Sequence, residues 1–246
     1  MKDYKVGLGI VTCNRPQFFE KAVFSVIREL EPLLECIVTY NDGNYFQELS
    51  SPYTALQMTK KGVYWGSDDN TNSGVAVSKN QLMEYLLEKD CDYIFIMEDD
   101  MEIKSPKAIT EYIKLSQETG IEHFNFAHHG KMNPYPVKVE GDVAYYPNCV
   151  GAYSFYTKNC LNKVGLLDEH FYNAWEHVEH TARIAREGLT SPFWLFADHK
   201  NSQEWIEEQP NALESSVIRN NPDWNTKMLE GLQYWKSKDG IGIPQR

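Results

Sequence analysis

The stretch Asp92-Tyr93-Ile94-Phe95-Ile96-Met97-Glu98-Asp99-Asp100 joins an apolar run directly to three acids. Its apolar part is rich in β-branched and aromatic residues, a composition that is typical of a buried strand. Three neighbouring carboxylates repel one another, which costs free energy unless a cation or the donors of a ligand offset it. The stretch therefore predicts a central strand whose tip binds a hard divalent metal ion.

Patterns typical of strands and helices alternate around this stretch. A short apolar run, Val6 to Val11, precedes a polar turn and a helical apolar face that extends from Phe18 to Leu30. A second strand pattern, Cys36 to Tyr40, ends at the turn signal Asn41-Asp42-Gly43. This β-α-β arrangement predicts an α/β fold with a parallel sheet and a right-handed crossover.

The remaining elements are expected to be less regular. We expect an irregular loop over Val63 to Asn72 and a helix from near Gly74 to Glu88. The elements expected beyond the acidic stretch are a helix from Ser105-Pro106, strands over 121–127, 150–156 and 192–197, a hairpin over 134–146 and a helix over 175–187. After Gln209 the chain is expected to be helical in places, with Trp224 and Trp235 as packing anchors.

The composition limits the classes of function. The 246 residues carry a formal net charge of −11 at pH 7, which argues against broad binding to nucleic acid. The five cysteines are odd in number and form no C-x-x-C pair, so a cytoplasmic, reducing location is expected. No signal peptide is expected at the start of this sequence, and no apolar run reaches the ~20 residues that span a bilayer, so any membrane contact is expected to be peripheral.

Four polar clusters follow the ends of predicted strands. They are Thr12-Cys13-Asn14-Arg15, Asn41-Asp42, Glu98-Asp99-Asp100 and Asp198-His199. Ligands of open α/β sheets bind beyond the carboxyl ends of the strands, so we expect these clusters to line one pocket. In an extended chain Glu98 and Asp100 point to one side, where two carboxylates can hold a divalent cation. Turn formation and helix capping are the alternatives for these residue types.

The predicted helix from Trp175 carries ionisable side chains on one face, namely Glu176, Glu179, His180 and Arg183. A carboxylate near the start of this helix can act as a general base in a cleft. A surface ion-pair face is the alternative. His199 is either a satisfied polar residue or a nitrogen ligand that completes a metal site.

Taken in order, these segments resemble the family 2-like glycosyltransferases with the GT-A fold. The segments that carry the resemblance are Val11 to Arg15, Asn41-Asp42-Gly43, Asn72 to Asn80, Glu98-Asp99-Asp100 and Leu167 to Arg183. They are similar to the family's T-x-N-R turn, D-D-G turn, N-x-G-x-x-x-A-R-N helix start, D-x-D motif and F-D-E-x-F … E-D block. The chain departs from the family at Glu98, the first acid of the D-x-D motif, and at His177, where the family has an aspartate.

The resemblance, which covers roughly residues 4 to 200, implies the architecture. It implies a GT-A (Rossmann-like) α/β fold with a mixed, mainly parallel sheet flanked by helices. Residues 1–208 would form the GT-A domain, with a nucleotide-sugar half over about 1–104 and an acceptor half over about 105–208. Residues 209–246 would form a C-terminal helical extension packed on the domain.

The resemblance also implies roles for single residues. A nucleoside-diphosphate sugar, with UDP-sugar as the first choice, would bind to Thr12, Asn14, Arg15, Asp42, Asn72, Lys79 and Asp99. Mn²⁺ or Mg²⁺ would be held by Glu98, Asp100 and His199. The base that deprotonates the acceptor would be Glu176, His177 or Glu179, and Glu176 is favoured.

The function implied is metal-dependent, inverting transfer of a sugar to a hydroxyl of a carbohydrate or lipid-linked glycan, as in surface polysaccharide or glycan synthesis. Three other functions stay open: nucleotidyl transfer, non-catalytic binding of a nucleotide sugar, and sugar transfer to a DNA base. The turn after the first strand lacks the glycine-rich basic loop typical of nucleotidyltransferases. The replacement of the family's aspartate by His177 suits a non-catalytic module, and the acidic net charge disfavours DNA.

Overall fold

The computed structural model describes residues 4–43, 50–66, 72–129, 135–191 and 195–239. The strands in these ranges are β1 (Val6–Thr12), β2 (Cys36–Asn41), β3 (Gly62–Gly66), β4 (Tyr93–Glu98), β5 (Met101–Ile103), β6 (His123–Asn125), β7 (Lys138–Glu140), β8 (Val143–Tyr146), β9 (Tyr153–Thr157), β10 (Phe196–His199) and β11 (Ile206–Glu208). The helices are α1 (Pro16–Leu30), α2 (Ser50–Met58), α3 (Val75–Glu88), α4 (Lys107–Thr119), α5 (Lys158–Val164), α6 (Glu176–Arg186) and α7 (Trp224–Asp239).

The central sheet has the strand order β3-β2-β1-β4-β9-β6. Its first four strands run parallel, and β9 runs antiparallel to both β4 and β6. Thr12 pairs with Asn41 and Val11 pairs with Glu98, so β1, β2 and β4 end at the same edge of the sheet. The predicted mixed, mainly parallel α/β sheet flanked by helices is therefore confirmed.

Close packing brings helix α3 onto the centre of the sheet. A Cβ atom at Gly7 would lie 2.6 Å from a side-chain carbon of Leu86, and one at Gly9 would lie 2.9 Å from a side-chain carbon of Leu82. The missing side chains in β1 let the helix approach, and the leucines are fully buried against the strand. As a result, the N-terminus of α3 lies at the edge where the strands end.

The C-terminal part of the chain contacts this same edge. Strand β11 pairs with β5, which follows the three acids directly. Gln209 donates from its backbone to the carbonyl of Asp100 at 2.7 Å, and from its side chain to the carbonyl of Asp99 at 2.9 Å. Further along, Trp235 of α7 is buried against Phe171. These contacts hold residues after 208 beside the acidic stretch.

Several elements differ from those expected. The expected loop over Val63 to Asn72 contains β3, which pairs with β2, and residues 67–71 of that loop lie outside the described residues. Strand β4 ends at Glu98, and the next two acids form a turn, so the expected extended alternation stops there. Strand β10 begins at Phe196, whereas residues 192–194 of the expected strand lie outside the described residues. No helix among the described residues is long and apolar enough to cross a membrane.

Candidate active site

Asp42 organises the start of helix α3. Its carboxylate accepts hydrogen bonds from the backbone N–H groups of Ser73 and Gly74 at 2.9 and 3.0 Å. It also accepts from the hydroxyls of Ser73 and Ser78 at 3.1 and 3.0 Å. An acidic side chain is stabilised at a helix N-terminus by the free N–H groups and by the helix dipole. The turn after β2 is thereby tied to α3.

Asn72 extends this arrangement towards β1. Its side-chain oxygen accepts from Gly74 N at 3.0 Å, and its amide group contacts the sulfur of Cys13 at 3.3 Å. The thiol of Cys13 in turn donates to the carbonyl of Asp42 at 3.0 Å. Burial and the neighbouring carboxylates raise the pKa of Cys13 to about 12, so the group is a neutral thiol.

Asp99 and Asp100 share one guanidinium. Arg15 forms a bidentate pair with Asp99 and contacts Oδ2 of Asp100 at 3.0 Å. The hydroxyl of Thr12 donates to Asp99 at 2.6 Å. The two acids and the threonine are buried, so this cation offsets charge that water does not reach. Arg15 also donates to the carbonyl of Ala212 at 3.3 Å, which joins the cluster to the C-terminal segment.

One oxygen of this cluster is left open. Oδ1 of Asp100 is buried and makes no hydrogen bond with any described residue, although Nε2 of His129 lies 3.5 Å away. His129 lies equally close to Glu208, at 3.5 Å. Although burial raises it, the charges of His129 and Arg15 lower the pKa of Asp100 to about 2. Asp100 is therefore an ionised carboxylate, and its Oδ1 faces His129 without a hydrogen bond from the described residues.

Glu98 at the tip of β4 is held by Lys79 from α3. The ammonium group donates to Glu98 at 2.7 Å and to the carbonyl of Gly151 at 3.0 Å, and it lies 3.7 Å from Glu176. Burial disfavours its charge, yet the two glutamates outweigh this effect and raise the pKa of Lys79. The buried ammonium thus links the acidic stretch to the start of α6.

Helix α6 begins at a strained residue. Trp175 has a φ angle of 74° at the N-cap position, which is uncommon for a bulky side chain. This turn directs Glu176 and His177 to the edge of the sheet. Nδ1 of His177 lies 3.1 Å from Glu176, and its Nε2 lies 3.0 Å from the carbonyl of Cys149. Both ring nitrogens therefore face oxygen atoms, which fixes the orientation of the ring.

Glu176 has one bound and one open oxygen. Oε1 contacts His177 and Lys79, whereas Oε2 is buried and makes no hydrogen bond with any described residue. Burial opposes ionisation, but the interactions with His177 and Lys79 lower the pKa of Glu176 to about 2. The carboxylate is therefore ionised at neutral pH.

Two adjoining cavities open onto these side chains. The small pocket, of about 80 Å³, is lined by Thr12, Arg15, Asp42, Asn72 and Asp99. The large cavity, of about 510 Å³, is lined by Glu176, His177 and a set of apolar residues. Glu98 and Asp100 line both, and so do Ser216 and Ile218 of the C-terminal segment.

The structure does not bring every predicted residue to these cavities. Glu179 is buried one turn along α6, where Arg183 and Lys238 bind its carboxylate at 2.9 and 3.0 Å. Asn14, with a φ angle of 54°, lies against Gly43 and does not line either cavity. Lys79 also lies behind the cavity wall rather than in it.

His199 lies in a different environment from the acidic cluster. It ends β10 in a separate three-stranded sheet, its Nδ1 accepts from the backbone of Asn201 at 3.0 Å, and its ring lies 4.5 Å from that of Trp205. The imidazole that the structure places beside Asp100 is that of His129, a residue for which the sequence offered no motif.

The protein side chains at this site supply only some of the ligands that a metal ion needs. No three His, Cys, Asp or Glu side chains within the described ranges converge as a metal-binding group. The open, ionised Oδ1 of Asp100 is nevertheless a hard donor at the junction of the two cavities. Mg²⁺ and related ions are commonly held by one or two carboxylates together with substrate phosphates and water. The site therefore fits an ion that a phosphorylated ligand brings or completes.

Comparison with known proteins identifies the fold. No protein-family model and no curated protein matches the chain. TarS 1–349 of S. aureus superposes with a TM-score of 0.60 at 14% identity, covering 96% of this chain and 72% of that one. The chain has the GT-A fold. The prediction made from the order of its motifs is thereby confirmed at the level of the fold.

Two further structures share the GT-A fold with this chain. The mannosyltransferase PcManGT from Pyrobaculum calidifontis, solved with GDP-Man and Mn²⁺, gives a TM-score of 0.56 at 12% identity over 77% of this chain. GalNAc-T7, solved with UDP, GalNAc and Mn²⁺, gives 0.58 at 12% identity over 76% of this chain. The chain spans 55% of the first of these proteins and 42% of the second.

Proposed function

We propose that this protein is a metal-dependent glycosyltransferase that moves a sugar from a nucleoside-diphosphate sugar to a hydroxyl group. The observation that carries the proposal is the junction of two cavities at Glu98 and Asp100. One cavity is lined by charged and polar side chains such as Arg15 and Asp42 and lies at the edge where parallel strands end, which is where open α/β sheets bind their ligands. The other contains an ionised glutamate with a free oxygen, which suits a second substrate.

The small pocket is proposed as part of the donor site. Arg15 and Thr12 lie at the end of β1, and Asp42 lies at the end of β2 beside the N-terminus of α3. The N–H groups at the start of α3 and the guanidinium of Arg15 are already bonded to Asp42, Asp99 and Asp100, so an anionic diphosphate would bind here together with a metal ion. Asp42 and Asn72 offer acceptors and donors for a base edge. Among the similar structures, TarS has been captured with UDP and with UDP-GlcNAc, so UDP-sugar is the first donor to test.

Asp100 is proposed to hold the metal ion through Oδ1, with Glu98 beside it. Similar structures contain Mn²⁺. When bound, such an ion neutralises negative charge on the diphosphate as it leaves. Arg15 occupies the other oxygen of Asp100 and keeps that carboxylate oriented. His199 is not part of this proposal, because it lies in another sheet.

Glu176 is proposed as the base. In the transfer, the acceptor O–H bond breaks and its proton passes to Oε2, while the acceptor oxygen bonds to the anomeric carbon of the sugar. The bond from that carbon to the diphosphate breaks, and the nucleoside diphosphate leaves with the electron pair. Glu176 lines only the large cavity, whereas Thr12 and Asp42 line only the small pocket. This separation of base and leaving group suits a single displacement, which inverts the configuration.

A cytoplasmic role in polysaccharide or glycan synthesis is part of the same proposal. All five cysteines lie in the described ranges and are free thiols, as a reducing compartment favours. Because Cys13 lines the small pocket, oxidation there would interfere with the donor site.

The proposal is tested by ligand binding and by turnover. Thermal shift with UDP, GDP and TDP, each with and without Mn²⁺, should show a metal-dependent rise in Tm for one nucleotide. Hydrolysis of the matching nucleotide sugar should then require Mn²⁺ and should fall at least ~100-fold in the Asp100→Asn protein. The matched control is Asp90→Asn, since Asp90 is an exposed aspartate that pairs with Lys158. Absence of metal-dependent nucleotide binding would refute the proposal, and tight binding without turnover would support a non-catalytic module instead.

A further inference from the structure

The large cavity has an apolar wall that the C-terminal segment supplies. Leu213, Trp224 and Met228 line this wall, and Trp175 and Phe196 continue it. The indole nitrogen of Trp175 donates to the carbonyl of Met228 at 3.0 Å, so the ring presents an apolar face to the cavity. Aromatic and aliphatic side chains in such a wall favour a ligand that buries apolar surface.

Another part of the cavity lining carries acceptor oxygens that lack donors. Oε2 of Glu176 and Oδ1 of Asn173 are buried, belong to residues that line the cavity and make no hydrogen bond with any described residue. A buried acceptor without a partner costs free energy, which a ligand hydroxyl would recover by donating to it. The lining is thus built for a ligand that is polar at one end and apolar at the other.

The charges around the cavity disfavour an anionic ligand. Three carboxylates line it, those of Glu98, Asp100 and Glu176. The guanidinium of Arg219 lies at the exposed rim, where water screens it. Lys79, Arg15 and His129 are paired with these acids, so none of these cations is left unpaired to bind a ligand anion. A phosphate or carboxylate deep in this cavity would lie beside the open oxygens of Glu176 and Asp100, which selects against such acceptors.

We propose that the large cavity takes a neutral acceptor made of two parts: a sugar ring whose hydroxyls donate to Glu176 and Asn173, and an apolar aglycone that lies on the wall formed by Leu213, Trp224 and Met228. This inference rests on the proposed transferase function and adds the chemical class of the acceptor. It sets aside phosphate-bearing polymers and nucleic acid as acceptors.

Calorimetry on the full chain with saturating UDP and Mn²⁺ tests the class of acceptor. The probes are the methyl and phenyl β-glycosides of glucose, galactose and N-acetylglucosamine, together with phenyl β-glucuronide. At least one phenyl glycoside should bind about tenfold more tightly than its methyl counterpart, because the ring buries apolar surface. The anionic glucuronide should bind about tenfold more weakly than phenyl glucoside. Equal affinities for methyl and phenyl glycosides, or no binding of any phenyl glycoside, would overturn the inference.

Near-isosteric variants locate the aglycone. Met228→Gln should lose most of the preference for phenyl over methyl glycosides, whereas Met58→Gln, at a position that is 79% exposed, should keep it. Leu213→Asn should behave like Met228→Gln, with Leu229→Asn as its exposed control. An unchanged preference in both cavity variants places the aglycone elsewhere and refutes the assignment.

Different results would refute the proposed transferase function and the proposed class of acceptor. Nucleotide binding with Mn²⁺ needs no acceptor, so it is measured separately in all four variants and should be unchanged. If nucleotide binding and hydrolysis hold while the phenyl preference is absent, the acceptor class is wrong and the transferase function stands. If phenyl glycosides bind but no nucleotide does, the transferase function fails.

Discussion

The two cavities differ in how their polar groups are satisfied. Around the small pocket, Asp42, Asp99 and Thr12 are bonded to backbone groups or side chains of the protein itself. Around the large cavity, Asn173 and Glu176 each keep a buried oxygen without a partner among the described residues. A satisfied network supports the fold as well as a ligand, whereas an open acceptor is stabilised only when a ligand arrives. Changes at the small pocket should therefore act mainly on stability, whereas changes at the large cavity should also reduce turnover.

The largest effect is expected for Glu176→Gln. The amide cannot take a proton, and loss of a general base typically costs 10²- to 10⁴-fold in rate. We expect kcat for transfer to fall by about that factor, while the affinity for nucleotide with Mn²⁺ changes less than about threefold. Glu187→Gln, at the exposed C-terminal end of the same helix, is the matched control. Steady-state kinetics and calorimetry measure the two quantities, and retention of kcat in the glutamine variant would exclude Glu176 as the base.

At the small pocket, Asp42→Ala should lower the free energy of unfolding by about 4 kcal/mol. The backbone N–H and the hydroxyl of Ser73 would lose their partner, at roughly 1–3 kcal/mol each. Asp42→Asn keeps one acceptor oxygen and should lose about half as much. Urea unfolding followed by circular dichroism gives these values. A change below about 1 kcal/mol in the alanine variant would show that the network at α3 does not support the fold.

The charge of Glu176 should make stability depend on pH. Its pKa is lowered from 4.5 to about 2 by His177 and Lys79, against the effect of burial. A group with a lowered pKa contributes stability that is present above pH 4.5 and is lost as pH falls towards 2. The shift corresponds to a contribution on the order of 3 kcal/mol.

The comparison of wild type with Glu176→Gln isolates this contribution. The pKa of Asp198, which burial raises to about 6, affects both proteins equally and cancels in the difference. The stability advantage of the wild type should be largest at pH 6 and should shrink steadily between pH 4.5 and 3 in urea titrations. A difference that is constant over this range would contradict the ion pairs of Glu176.

The small pocket was predictable from the sequence for a simple reason. Its polar residues follow β1, β2 and β4, which are neighbours in one parallel sheet, so their ends must meet. The same rule misplaced His199, because β10 belongs to a different sheet with β8 and β7. A strand pattern in the sequence does not reveal which sheet the strand joins.

The large cavity was less predictable. His129 follows the short strand β6 and has no motif around it, yet it lies 3.5 Å from Asp100. Much of the apolar wall comes from residues 213–228, which are held at the site by the pairing of β11 with β5 and by the bond from Gln209 to the backbone of Asp99. Long-range pairing of this kind leaves little periodic signal in a single sequence.

The smallest effect is expected for Gly151→Ala, a change beside His177 at the large cavity. Gly151 and Gly188 both have positive φ angles, of 76° and 71°, so an alanine costs about 1 kcal/mol of backbone strain at either position. At Gly151 the new Cβ would also lie 2.7 Å from the ring of His177, whereas at Gly188 nothing lies within 4 Å. Gly151→Ala should therefore lower the free energy of unfolding by about 1 kcal/mol more than Gly188→Ala.

Gly151→Ala should also reduce kcat severalfold, because His177 contacts Glu176 and its displacement moves the proposed base. Gly188→Ala should leave kcat unchanged, and neither variant should alter nucleotide affinity. Equal stability and equal kcat in the two variants would show that His177 moves aside freely. In that case, His177 would have no part in positioning Glu176.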